Sequence, residues 1–94
     1  MIMAHAFEKT QNPDGTWQLD LDGIRLVVEG FDVREGQHWL HRAEEAVAYF
    51  LHEGNFYGIS NNLMAHQTAE ALYDDLRRQY QYFETELVGS ALLN

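Results

Sequence analysis

The dipeptide Asp22-Gly23 limits the fold more than any other feature, because apolar and polar residues alternate in mirror order on either side of it. Such a dipeptide suits the two-residue type I′ turn of a β-hairpin. The apolar pairs are then Leu21 with Ile24, Leu19 with Leu26, and Trp17 with Val28. Side chains alternate between the faces of a strand, so these pairs share one face and a one-residue shift would bury charges instead. On the other face, Asp20 is predicted to pair with Arg25.

The segments on either side of this hairpin extend it. Asn12-Pro13-Asp14-Gly15 has the composition of a tight turn, with Pro presetting φ and Gly supplying a positive φ. We therefore expect residues 4–11 to add a third strand, which gives an antiparallel meander. Residues 30–33 either prolong the last strand of this meander or begin a loop.

Residues 38–53 are predicted to form a helix. At about 100° per residue, one side of that helix collects apolar side chains. They are Trp39, Ala43, Ala46, Val47 and Phe50. Gly54 follows as the residue at which such a helix would end.

A second helix is predicted to begin with Asn61 or Asn62 as its N-cap and to end near Gly89. Its apolar residues follow at spacings of mostly four and three, as in packed helices. They are Ala65, Ala69, Leu72, Leu76, Tyr80, Phe83 and Leu87. About 26 residues give a helix of roughly 39 Å, whereas a globule of this size is roughly 32 Å across. We therefore expect this helix to overhang its domain, to bend, or to pack on another chain.

These elements predict a single α+β domain over residues 1–94. Its sheet would be a three- or four-stranded antiparallel meander, with the two C-terminal helices packed on one face.

Acidic residues outnumber Lys and Arg by fifteen to six, so the formal net charge is −9. This balance opposes broad contact with nucleic-acid phosphates and anionic lipid, so neither nucleic acid nor a membrane is an expected partner. The chain has no cysteine, which excludes disulfides and thiolate metal sites. The missing cysteine and the lack of a long apolar segment are typical of a cytoplasmic protein.

No pattern of residues is typical of catalysis, so we predict no enzyme activity, no catalytic residue and no cofactor. Adjacent carboxylates such as Asp74 and Asp75 point about 100° apart on a helix and cannot share a site. The segment Gly58-Ile59-Ser60-Asn61-Asn62 lacks the second glycine of a nucleophile elbow.

Two histidines and a glutamate are the candidates for a metal site. His38, His41 and Glu45 would lie on successive turns of the first predicted helix. A transition-metal site needs three or four such donors converging on one ion. The three residues also lie opposite the apolar side of that helix, where a solvated surface is expected. The solvated surface is therefore the preferred interpretation, with metal binding as the alternative.

Apolar side chains outside the predicted core indicate a contact surface, because Tyr and Met are enriched at protein interfaces. The candidates for contact are Met64, Ala71, Tyr73, Tyr80 and Tyr82, and those for electrostatic complementarity are Glu44, Glu45 and Glu53. A small core also gains stability from oligomerisation.

The leading hypothesis is therefore a non-enzymatic protein-binding module: a small acidic homodimeric adaptor or inhibitor, of the kind that a mobile element or a phage can encode. One alternative is a protein that binds a small ligand or a metal in a pocket between sheet and helices. Another is an acidic mimic of DNA that inhibits a nucleic-acid-binding protein. A third is a structural subunit of a larger assembly.

Overall fold

The computed structural model describes residues 5–59 and 66–79, and all structural statements concern these residues. The strands are β1 (Glu8–Gln11), β2 (Trp17–Leu21), β3 (Ile24–Val28), β4 (Phe31–Arg34), β5 (Gln37–Leu40), β6 (Val47–His52) and β7 (Asn55–Ile59). A short 3₁₀ turn covers Ala43–Glu45. One α-helix, α1, occupies 69–79.

The predicted hairpin is confirmed residue by residue. β2 pairs with β3 in the expected register, from Leu21 opposite Ile24 to Trp17 opposite Val28. Asp22 and Gly23 both have positive φ, at 48° and 79°, as a type I′ turn requires. The turn therefore fixes which face of the sheet is apolar.

β1 also takes the predicted place beside β2, with Glu8 opposite Asp20 and Gln11 opposite Trp17. The turn before β2 closes through a hydrogen bond from the Gly15 N–H to the Asn12 carbonyl oxygen, at 2.9 Å. The antiparallel sheet then continues through β6 and β7, in the order β1-β2-β3-β6-β7, while β4 and β5 form a separate two-stranded sheet. The main sheet therefore has five strands instead of the three or four predicted. Residues 30–33 lead into the second sheet.

The predicted helix over 38–53 is wrong, because this region forms β5, the 3₁₀ turn and β6. Two turns explain the difference. Glu35 and Gly36 have φ of 53° and 75°, and Glu53 and Gly54 have φ of 51° and 80°. Each pair repeats the geometry of the first hairpin and connects antiparallel strands. The glycine expected to end a helix therefore turns a hairpin.

The positions of the apolar residues in this region fit both a helix and a strand. Ala46, Ala48 and Phe50 are buried on one face, as period-two alternation requires. Ala46 and Phe50 are also four residues apart, which is the spacing of one helical face. The β-branched and aromatic residues between them, Val47 and Tyr49, favour the strand.

Helix α1 begins later than predicted. Residue Thr68 precedes it, and its Oγ1 accepts a hydrogen bond from the Ala71 N–H at 3.2 Å, as an N-cap does. Residues 66–68 are not helical, so the helix does not run on from Asn61 or Asn62. Those two residues and the predicted end near Gly89 lie outside the described residues. Within 5–59 and 66–79, one helix therefore replaces the two predicted.

The core lies between α1 and one face of the five-stranded sheet. Its fully buried side chains include Leu19 and Leu26 from the sheet and Leu72 and Leu76 from the helix. The cluster as a whole comprises Phe7, Leu19, Ile24, Leu26, Val28, Ala46, Ala48, Phe50, Ala69, Leu72, Tyr73 and Leu76. The α+β class is confirmed, with the helix on a single face. In the described part of the chain, no helix has the length and apolarity needed to cross a bilayer.

Thr68→Ala is expected to lower the free energy of unfolding by about 1 kcal/mol, because it removes the side-chain cap of α1. Chemical denaturation of the purified protein measures this change. Thr10→Ala, at an exposed position of β1, serves as the control and should change stability by less than about 0.5 kcal/mol. Equal losses in both variants would show that the hydroxyl does not act as a cap.

Candidate functional site

A buried histidine and a buried glutamate form the most strongly connected polar pair among the described residues. His38, in β5, is 3% exposed, and Glu70, in the first turn of α1, is 2% exposed. The His38 backbone N–H donates to Glu70 Oε1 at 2.7 Å. His38 Nδ1 lies 2.7 Å from Glu70 Oε2. Because a carboxylate only accepts hydrogen bonds, Nδ1 carries the hydrogen in this pair.

The carboxylate of Glu70 connects three segments. In addition to the two donors of His38, the backbone N–H of His5 donates to Oε2 at 3.4 Å. Burial alone would raise the pKa of Glu70, but the hydrogen bonds from His38 outweigh it and hold the pKa below its usual value. Glu70 therefore stays ionised at neutral pH and fastens β5 and the chain before β1 to α1.

The other ring nitrogen of His38 is sealed from solvent. Nε2 is buried, and no hydrogen-bond partner is found for it among the described residues. The ring centroids of Phe7 and Phe31 each lie 5.3 Å from that of His38. A histidine oriented by a carboxylate can act as a base only if its free nitrogen reaches a substrate. With Nε2 enclosed, the arrangement fits a structural connection.

The structure separates the three candidates for metal binding. His38 contacts Glu70, as described, and lies in the interior instead of on a solvated helix face. His41 Nε2 lies 3.2 Å from Asp32 Oδ2, and Glu45 accepts a hydrogen bond from Arg42 at 3.0 Å. In 5–59 and 66–79, no group of three or more metal-binding side chains is placed to hold an ion.

The candidates for partner contact fall in different places. Tyr73 belongs to the core, where it is 7% exposed, and its hydroxyl donates to Asp22 Oδ2 at 3.1 Å. Burial and this hydrogen bond raise the pKa of Tyr73. Tyr73 therefore cannot contribute to a surface contact without leaving the core. The exposed candidates are Ala71, Glu44, Glu45 and Glu53, whereas Met64, Tyr80 and Tyr82 lie outside the described residues.

An apolar surface lies on the face of the five-stranded sheet opposite α1, and we name it the outer face. It consists of Val27 from β3, Val47, Tyr49 and Leu51 from β6, and Phe56 from β7. Val47 and Phe56 are 41% and 38% exposed, and the other three side chains are partly buried. The strand registers make these residues neighbours, because Val27 pairs with Val47 and Leu51 pairs with Phe56.

A stacked arginine lies on the outer face, where Arg25 is opposite Tyr49. Arg25 donates to both carboxylate oxygens of Asp20, at 2.8 and 3.2 Å. Its guanidinium carbon lies 4.0 Å from the centroid of the Phe56 ring. The hydrogen bond with Asp20 raises the pKa of Arg25. This cation is therefore already paired with a carboxylate and an aromatic ring.

Carboxylates border the outer face near Val47. Asp14, Glu29 and Glu45 line a groove of about 530 Å³, with Val27 and Val47 among its apolar residues. A hydrogen bond with the Glu45 carboxyl raises the pKa of Glu29 and lowers that of Glu45, because two neighbouring carboxylates hold a proton more readily than one.

Carboxylates also border the outer face near Phe56. Glu8, Asp20 and Asp22 line a second depression, of about 300 Å³, together with Leu51 and Phe56. The two depressions lie at opposite ends of the apolar residues, since Ile24, the first residue of β3, lines one and Val28, the last, lines the other.

One residue of this surface follows from the register of the first hairpin, and the others were not predicted. Val27 follows from the register of the first hairpin, because it lies on the face opposite Leu26. Val47, Tyr49 and Leu51 belong to the region wrongly predicted as helix. The Glu53-Gly54 dipeptide is the signal that could have identified β6 and β7 as a second hairpin.

Similarity to known proteins gives no guide to this surface. No match to the chain was found among protein-family models, curated proteins or solved structures.

Proposed function

We propose that this chain is a non-enzymatic protein-binding module that binds another protein through its outer face. The observation that carries the proposal is the row of apolar side chains across β3, β6 and β7, with Val47 and Phe56 well exposed. An antiparallel sheet covered on one side usually presents polar residues on the other. Here that other side carries a row of apolar side chains around one paired arginine, with carboxylates at its border, and exposed apolar residues rimmed by polar ones are typical of an interface.

The chemistry of the buried pair supports binding over catalysis. His38 and Glu70 are both enclosed in the interior. The Nε2 atom, through which an oriented histidine would accept a proton, is buried, and the ring of Phe7 lies beside that of His38. The reactive group of the pair therefore does not open onto the outer face.

Another protein is a better partner for the outer face than a second copy of this chain. The chain carries a formal charge of −9, and carboxylates line both depressions at the ends of the outer face. Two such surfaces in contact would bring like charges together, which opposes association. An adaptor or inhibitor that acts on a different protein therefore fits better than a homodimer through this face.

Val47→Gln is expected to weaken binding of the partner at least about tenfold, because it places an uncharged polar group among the exposed apolar side chains that the partner would cover. The partner is first captured from the source cells by cross-linking, identified by mass spectrometry and purified. Calorimetry then compares its affinity for the wild-type protein and the variant. Circular dichroism verifies that the variant is folded, as expected for a side chain that is 41% exposed.

Val33→Gln is the matched control, because Val33 is an equally small exposed valine, at 58%, on the separate β4–β5 sheet. The proposal fails if both variants bind the partner as tightly as the wild-type protein. Light scattering gives a second check. A dimer of the wild-type chain that Val47→Gln dissociates would show that the outer face binds a second copy instead.

A further inference from the structure

Carboxylates bordering the outer face at both ends suggest what its partner must carry. Val27 and Val47 line the depression with Asp14, Glu29 and Glu45, and Leu51 and Phe56 line the depression with Glu8 and Asp20. Glu8 and Asp20 lie at the register of Arg25 in β3, and Glu29 follows four residues later in the chain, which is about 13 Å of extended chain. The face therefore presents an apolar stretch with negative charge at each end.

The two arginines near this surface neutralise only part of that charge. Arg25 is engaged by Asp20 and stacked on Phe56. Arg42 lies between two carboxylates, with Nη1 at 3.0 Å from Glu45 and at 3.7 Å from Glu29. Each arginine is thus already paired within the chain, and neither would need a carboxylate from a partner.

We infer that the partner presents an apolar segment with Lys or Arg on both sides of it, the two basic groups about 13 Å apart along the direction of β3. This inference rests on the proposed function and specifies the chemistry of the partner. The apolar segment covers Val27, Val47 and Phe56. The basic groups meet the carboxylates at the two ends, and the aliphatic stem of one of them crosses the valines of the larger groove.

Phosphate-bearing partners do not fit this surface. A nucleic acid or an anionic lipid would place its negative charges beside Glu29, Glu45 and Glu8, and the repulsion would oppose contact. A basic protein segment instead gains from the same field, which speeds encounter and favours one orientation. The charge pattern therefore selects among partners, while the apolar centre supplies contact area.

The test uses a library of random peptides displayed on phage and the full chain as the target. Clones that also bind Val47→Gln are removed, so that the retained clones depend on the outer face. Their sequences are expected to carry Lys or Arg on both sides of an apolar segment. A synthetic peptide with the sequence of the tightest clone is then measured by calorimetry. Glu8→Gln with Glu29→Gln is expected to weaken its binding about threefold to tenfold, as for the loss of two exposed ion pairs.

Glu35→Gln is the matched control, because Glu35 is an exposed acid in the β4–β5 turn, away from the outer face. It is expected to leave the affinity for the peptide unchanged. Retained peptides without an excess of Lys and Arg, or equal affinities of the double variant and the control, would overturn the inference while leaving the proposed function intact. Failure to recover any peptide that depends on Val47 would instead count against the proposed function.

Discussion

Glu70→Ala is expected to lower the free energy of unfolding by about 3–5 kcal/mol, because it leaves several donors without their acceptor, at about 1–3 kcal/mol for each buried one. Three donors lose their acceptor in this variant: the backbone N–H and Nδ1 of His38, and the backbone N–H of His5. Because His38 is only 3% exposed, water cannot replace the lost carboxylate. Chemical denaturation of the purified variant measures the loss.

Two further variants separate the carboxylate from the size of the side chain. Glu70→Gln keeps an acceptor for one N–H and should lose less stability than Glu70→Ala. Glu44→Ala changes an exposed glutamate of the 3₁₀ turn and should alter the free energy of unfolding by less than about 0.5 kcal/mol. A Glu70→Ala variant as stable as Glu44→Ala would show that the buried pair does not hold the fold together.

The pH dependence of the free energy of unfolding tests the same contact independently. The pKa of Glu70 in the folded protein lies below its usual value, because the hydrogen bonds from His38 outweigh burial. Its stabilising contribution is therefore complete above the unfolded pKa of about 4.3 and is lost as the pH falls through the lower, folded pKa. The wild-type protein should lose more stability on acidification than Glu70→Gln, which has no carboxyl group to titrate at this position.

Leu72→Ala is expected to lower the free energy of unfolding by about 2–5 kcal/mol, through the loss of buried methyl groups and the cavity that remains. Leu72 is fully buried where α1 packs on the sheet, together with Leu19 and Leu26. Calorimetric melting and urea titration both measure the change.

Val33→Ala is the control for this substitution, because Val33 is 58% exposed on β4. It should change the free energy of unfolding by less than about 0.5 kcal/mol. Similar small losses in both variants would mean that α1 contributes little to the stability of the sheet. A large loss in Leu72→Ala alone would confirm that packing of the helix on the sheet stabilises the fold.

The first hairpin could be predicted in full because a two-residue turn determines the register of both strands. Once Asp22 and Gly23 occupy the turn, every pair up to Trp17 and Val28 follows from counting. The helical residues Ala69, Leu72 and Leu76 were also predicted as core, and they are fully buried. In both cases a local rule and the long-range packing agree.

The second half of the sheet could not be predicted in this way, because its residues satisfy two periodicities at once. Ala46 and Phe50 fit one helical face and one strand face equally well. Whether this segment forms a helix or a strand depends on the pairing of β6 with β3. These two strands are separated in the sequence by the β4–β5 hairpin. Nothing in the sequence distinguishes Glu70 from the other acidic residues, since its burial depends on where β5 brings His38.

The contact of Glu70 with His38 and His5 has a consequence for the order of folding. Each hairpin closes over a few residues, whereas the hydrogen bonds of Glu70 join positions 32 and 65 residues apart. Closing long loops costs more chain entropy, so local pairings form first. The hydrogen bonds of the Glu70 carboxylate then stabilise a sheet that has already assembled. Loss of these hydrogen bonds should speed unfolding and leave the folding rate nearly unchanged.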